Sequence, residues 1–136
     1  MGKSVAYQGQ ERRRERRLAV SLPARYRIVA GEGDVVSKEV PGEALNLSLM
    51  GLMLQTDQIE TDGLTILPTS GTGRVRHVEV ELDLPGSGVP CAVTGRIIWV
   101  RESAAGDRLR FTAGVMFTYL NEDSQDALRA FIKSHS

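Results

Sequence analysis

The 136-residue chain predicts an all-β fold, antiparallel and closed into a small barrel, with one α-helix at the C-terminal end. Three observations carry that expectation. Val78–Leu84 alternates apolar and polar residues strictly, and Val89–Trp99 and Leu109–Phe117 read as two further long strands. Clusters rich in Gly and Pro punctuate the strands, with no long helical period between them, so neighbours pair antiparallel and closure covers their edges. The period changes once, after Asn121, where Ala127, Leu128, Phe131 and Ile132 fall on one helical stripe.

Taken in order, residues 1–11 are polar, hold Gly2 and Gly9, and read as a flexible tail. Arg12-Arg13-Arg14-Glu15-Arg16-Arg17 follows, five arginines in six residues. From Leu18 to Val29 the alternation around Tyr26 and Ile28 reads as a strand, and Pro23, lacking an amide donor, belongs at an edge or a bulge. Gly31–Asp34 and Pro41-Gly42 are turn signals with a short strand between them. In Ala44–Thr56, Asn46 and Ser48 share one face of an extended chain, and Gly51 interrupts it, as a bulge, tight turn or close backbone approach requires. Leu52–Thr56 is the next strand. Residues 57–77 carry loop chemistry around the short apolar run Leu64–Leu67. Pro85–Gly88 turns the chain between the two strands on either side of it. Asn121 is the expected N-cap of the last helix, with Glu122 and Asp123 in its first turn and Lys133 near its end, the favourable charge order.

Composition bounds the function. Apolar content of 41% and charged content of 25% are those of a globular protein of one domain. No apolar run approaches membrane-spanning length and none follows the N-terminus as a leader would, so the expectation is a cytoplasmic protein without membrane insertion. Cys91 is the single cysteine, which excludes an intrachain disulfide and reads as a small core residue. The formal net charge is zero but unevenly spread: residues 1–17 hold six Lys+Arg against two Glu, and the other 119 hold eleven against fifteen. A mildly acidic body argues against a nucleic-acid polymer as partner. It leaves a small anion open.

Catalysis finds little support. The two histidines, His77 and His135, stand apart, no metal-ligand spacing occurs, and no nucleophile–base–orienter set can be assembled. Glu79, Glu81 and Asp83 share a strand face and read as solvated charges. Gly71-Thr72-Gly73 lacks the strand, Lys and Ser/Thr context of a phosphate loop. The expectation is a protein that is not an enzyme and holds no metal or cofactor. Two features remain. The arginines are either a solvated basic tail or one jaw of an anion site, since guanidinium forks suit phosphate. Asn46 and Ser48 are either turn caps or convergent polar groups.

Together these features resemble a family. Arg13-x-x-x-Arg17 leading into the first barrel strand, then Asn46-x-Ser48-x-x-Gly51, is similar to the RxxxR and (Asp/Asn)xSxxG signature of the PilZ domain. Gly95-Arg96-Ile97-Ile98-Trp99, Gly114-Val115-Met116-Phe117 and the closing helix continue the likeness over roughly residues 11–133. The resemblance implies a six-stranded antiparallel β-barrel of the split-barrel type with a C-terminal helix, occupying residues 12–133, with 134–136 as the chain end. It implies a bacterial receptor for cyclic di-GMP that relays the signal to a downstream protein partner. In its terms Arg13 and Arg17 wrap guanine and phosphate from an arginine switch over residues 12–17. Arg12, immediately before that pair, is implied to accompany an intercalated dimer of the nucleotide. Asn46, Ser48 and Gly51 are implied to hold guanine and phosphate against the barrel. Asn46 stands where many members have Asp, and loop 57–77 looks longer than a minimal member needs. A ligand-independent adaptor is the alternative.

Overall fold

A computed structural model describes residues 17–30, 35–67, 77–105 and 108–135. The predicted tail 1–11, Arg12, Arg13, Arg14, Arg16 and the turn Gly31–Asp34 lie outside the described residues, as do positions 68–76 of the long loop. Among the described residues nine strands and one helix follow in order: β1 (Leu22–Ala30), β2 (Val35–Val36), β3 (Val40–Leu45), β4 (Gly51–Thr56), β5 (Glu60–Thr61), β6 (Leu64–Thr65), β7 (His77–Leu82), β8 (Cys91–Ala105), β9 (Arg108–Tyr119) and α1 (Glu122–Ser134).

Six of the strands close a barrel. The sheet runs β1-β3-β4-β9-β8-β7, every pair antiparallel, and β7 returns to β1. The predicted six-stranded barrel with a C-terminal helix is the observed fold. Period-two alternation places the core: Leu22, Ala24, Tyr26 and Ile28 of β1 face inward, as do Val78, Val80 and Leu82 of β7 and Val93 and Ile97 of β8. On the outer face Arg25 forks onto Asp83 at 3.0 and 3.3 Å and lies 3.6 Å from Glu81. Arg27 reaches Glu39 at 3.5 Å. Glu81 and Asp83 are therefore partners in a surface charge ladder.

Three local expectations give way. Pro41-Gly42 is not a turn but the middle of β3, opposite Arg25 and Ala24. Long-range pairing with β1 fixes it there, and Pro41 faces solvent. Pro23 sits where the β1–β7 ladder ends, its carbonyl accepting from the Asp83 amide at 3.1 Å, so its missing N–H removes one terminal rung. β8 runs six residues past Trp99 because β9 pairs with it as far as Ala105↔Arg108. Within the poorly readable loop, β5 and β6 form a hairpin that seats Ile66, fully buried, in the core.

The helix is anchored as its sequence requires. The Asn121 side chain accepts from the Ser124 amide at 2.8 Å, and the Ser124 hydroxyl donates to the Ala92 carbonyl at 2.7 Å, which ties the first turn to β8. Leu128 and Phe131 are buried on the predicted stripe. Burial also pushes the Cys91 thiol up from its ordinary value, in keeping with a core residue beside that turn.

One barrel end carries a polar network. The Tyr26 hydroxyl donates to the Gln58 carbonyl and lies 3.5 Å from Thr56 Oγ1, which accepts from the Gln58 amide at 3.1 Å. Burial pushes the Tyr26 phenol above its ordinary 10.0, and the bond to Thr56 only partly offsets that rise. The unfolded chain therefore gives up this proton first. The contribution to stability is complete below about pH 10 and is lost as pH climbs from there through the higher folded value. Urea midpoints of wild type should fall between pH 9 and pH 11.5 more steeply than those of Tyr26→Phe. Parallel losses would assign the alkaline weakness to other groups.

Candidate functional site

The site is built around a two-bond bridge outside the main strands. Leu18 and Leu47 exchange backbone hydrogen bonds, each N–H to the other's carbonyl at 2.8 Å. Leu47 is fully buried, so the bridge is pinned from the core side. It brings the end of the arginine run, Arg17, beside the segment that leaves β3. Arg17 is exposed and makes no ion pair with a described residue.

Asn46 breaks the strand with φ 34, a left-handed conformation that asparagine and aspartate tolerate better than other side chains. Its carboxamide rests 2.8 Å from Met53 Sδ. Ser48 closes the next turn. Its hydroxyl accepts from the Met50 and Gly51 amides at 3.0 and 3.1 Å and lies 3.3 Å from the Gly51 carbonyl, while its own amide donates to that carbonyl at 2.9 Å. Those contacts use the hydroxyl's hydrogen and both lone pairs. Ser48 thus sets the shape of the turn and presents no spare donor.

Gly51 starts β4 against the backbone of β9. A Cβ there would lie well inside contact distance of the Val115 carbonyl oxygen and 3.3 Å from Met116 Cα. The close approach predicted for this glycine is thus to the chain's own backbone. Across β9, Gly114 makes room for Trp99, whose pyrrole ring occupies the space a Cβ would need, with Cδ1 at 2.8 Å. The Arg101 guanidinium lies over the same indole, 5.0 Å from the ring centroid. A bulge in β8 between Ile97 and Trp99 puts Ile98 and Trp99 in succession on the outer side.

These pieces surround one cavity of about 150 Å³ on the β4–β9–β8 surface. Arg17, Asn46, Ser48 and Gly51 line it with Ile98 and Trp99, as do Met50, Met53 and Met116, the chain's only methionines after Met1. Of the sequence-predicted residues, four are brought together here, and Arg12 and Arg13 lie outside the described residues. Ile98, Trp99 and the methionines went unread as site residues; the Ile-Ile-Trp run was the one visible hint, because strict alternation cannot bury both Ile97 and Ile98 and so leaves one large apolar side chain on the outer face. A larger concavity, about 500 Å³, opens over β1, β3 and β4. Its polar groups satisfy one another, Ser21 donating to Glu43 and Arg110 to Gln55 at 3.0 Å. The smaller cavity, with a guanidinium that no described acid engages at its rim, is the better candidate. Among the described residues no group of three His, Cys, Asp or Glu could hold a metal ion, and no helix is long and apolar enough to cross a membrane.

A model of the PilZ domain family matches residues 11–134. Among solved structures, the chain is similar to the PilZ domain of YcgR from Escherichia coli with c-di-GMP, at 14% identity and TM-score 0.54 over 90% of this chain and 91% of that one. It is similar to the Bacillus subtilis inhibitor of motility MotI/DgrA at 17% identity and TM-score 0.56, covering 90% of this chain and 50% of that one. The Borreliella burgdorferi PlzA protein in complex with c-di-GMP gives 11% identity and TM-score 0.54 over 98% and 56%. The chain spans about half the length of the last two. At these identities the likeness establishes the fold. No curated protein matches the sequence.

Proposed function

This chain belongs to the PilZ domain family, and from that membership we propose that it is a cyclic di-GMP receptor, a regulatory binding module and not an enzyme. The observation that carries the reading is the Leu18–Leu47 bridge, which sets Arg17, an arginine without an ion-pair partner among the described residues, beside the Asn46–Gly51 motif on one cavity. A cavity of about 150 Å³ is smaller than the several hundred Å³ that enclose a typical ligand. It takes one base or one phosphate, and the rest of the dinucleotide lies over the barrel surface. Cover then comes from the arginine segment 12–17, where Arg13 and Arg17 fork onto phosphate and guanine acceptors. Asn46 offers its carboxamide at the rim, and Ser48 and Gly51 hold the turn that forms the wall. Arg12 accompanies a second, intercalated nucleotide. The covered ligand makes a new surface, through which the protein acts on a downstream partner in the cytoplasm.

Isothermal titration of cyclic di-GMP into the folded protein tests this. Micromolar or tighter binding is expected, with about two nucleotides per chain. A stoichiometry of one would remove the intercalated dimer and keep the receptor. An absence of heat at tens of micromolar nucleotide would leave a ligand-independent adaptor.

A further inference from the structure

Arg96 lies in β8 between Gly95 and Ile97, both buried, so its side chain leaves on the outer face of the barrel. Its backbone partners are Met116 on β9 and His77 on β7, and Met116 is in turn the partner of Gly51. The row Gly51–Met116–Arg96 therefore runs from the motif, across a residue that lines the cavity, to an arginine beyond it.

Arg96 Nε is sealed from solvent and has no hydrogen-bond partner, the single such side-chain nitrogen or oxygen among the described residues. No described carboxylate forms an ion pair with this guanidinium. A buried N–H of a charged group is almost always given an acceptor, and leaving one unpaired is costly. The chain has acids to spare for such work, since Arg25 alone draws on Glu39, Glu81 and Asp83. At Arg96 no described acid is supplied.

Resting on the cyclic di-GMP reading, we propose that Arg96 is a further binding residue, its guanidinium turning clear of the neighbours that seal Nε so that its Nε edge donates to a phosphate of the nucleotide laid across Met116. The Nε–H and the neighbouring terminal N–H of a guanidinium form a parallel pair that matches two phosphate oxygens. A cyclic dinucleotide carries two phosphates. Arg17 on the motif side and Arg96 on the β8 side give each of them a separate cation, and the ligand spans β4, β9 and β8.

Titration of cyclic di-GMP into the full chain, wild type against Arg96→Gln and Arg96→Lys, tests the assignment, with melting temperature recorded for each. Removing a charged hydrogen-bond pair should weaken binding by about 10- to 100-fold in Arg96→Gln, while the melting temperature holds or rises. Arg96→Lys keeps the charge without the paired edge and should fall between, and it decides the matter if the glutamine variant does not fold. Wild-type affinity in both folded variants overturns the role of Arg96 and leaves the receptor reading intact. Failure of folded wild type to bind overturns both.

Discussion

Gly51→Ala should lower the melting temperature by roughly 10 °C or more and abolish ligand binding with it, because overpacking of this kind costs about 2–3 kcal/mol and each kcal/mol shifts a domain of this size by about 4 °C. The added methyl group would meet the Val115 carbonyl oxygen, and backbone cannot rotate away as a side-chain tip can. Relief requires β4 to part from β9 at its first rung, Gly51↔Met116, where Phe117 also donates to the Met50 carbonyl at 2.8 Å. That parting opens the wall of the cavity. Gly88→Ala is the matched control: it has nothing within 4 Å of an added Cβ and should melt within a degree or two of wild type. Calorimetry on the three proteins gives the comparison. A Gly51→Ala protein as stable as the control would mean that the two strands separate at no cost.

The fold was legible where local pattern and global architecture agree. Alternation in Val78–Leu84 and the change of period after Asn121 located β7 and α1, including the Asn121 cap. Pro41-Gly42 was misread because turn chemistry is a local signal, whereas β3 is held by Leu22–Tyr26 on one side and by Gln55–Met53 of β4 on the other. Ile66 was hidden for the same reason: one buried side chain after a two-rung hairpin has no period to detect. In the site, residue types pointed to anion chemistry, yet the juxtaposition depends on Leu18 meeting Leu47, a contact between residues far apart in sequence with no signature in either segment. Ser48 and Gly51 show the limit from the other direction. Both were read as ligand groups, and the structure gives each a first task within the chain: one saturates a turn, the other lets two backbones touch.

That division separates residues whose loss damages the barrel from those whose loss damages binding alone, and Arg17 is the test of the second kind. Arg17→Ala should leave the melting temperature within about 1–2 °C of wild type, since exposed side chains away from packing change stability by less than about 0.5 kcal/mol. Its effect on cyclic di-GMP should be large. Each charge-assisted bond to a phosphate or guanine acceptor contributes about 1.5–3 kcal/mol, so removal of the fork should weaken binding by roughly 10- to 100-fold or more. Arg27→Ala is the control for charge alone: it removes another exposed arginine, paired with Glu39 on the outer face of β1, and should leave affinity unchanged. Trp99, the sole tryptophan, lies in the same cavity and gives an optical readout of the titration beside the calorimetric one. Salt sharpens the distinction. If Arg17 meets a phosphate directly, the affinity of wild type should fall with added salt more steeply than that of Arg17→Ala. Equal affinity in Arg17→Ala and wild type would reduce the arginine to a bystander at the rim and shift the whole burden of anion recognition to other cations.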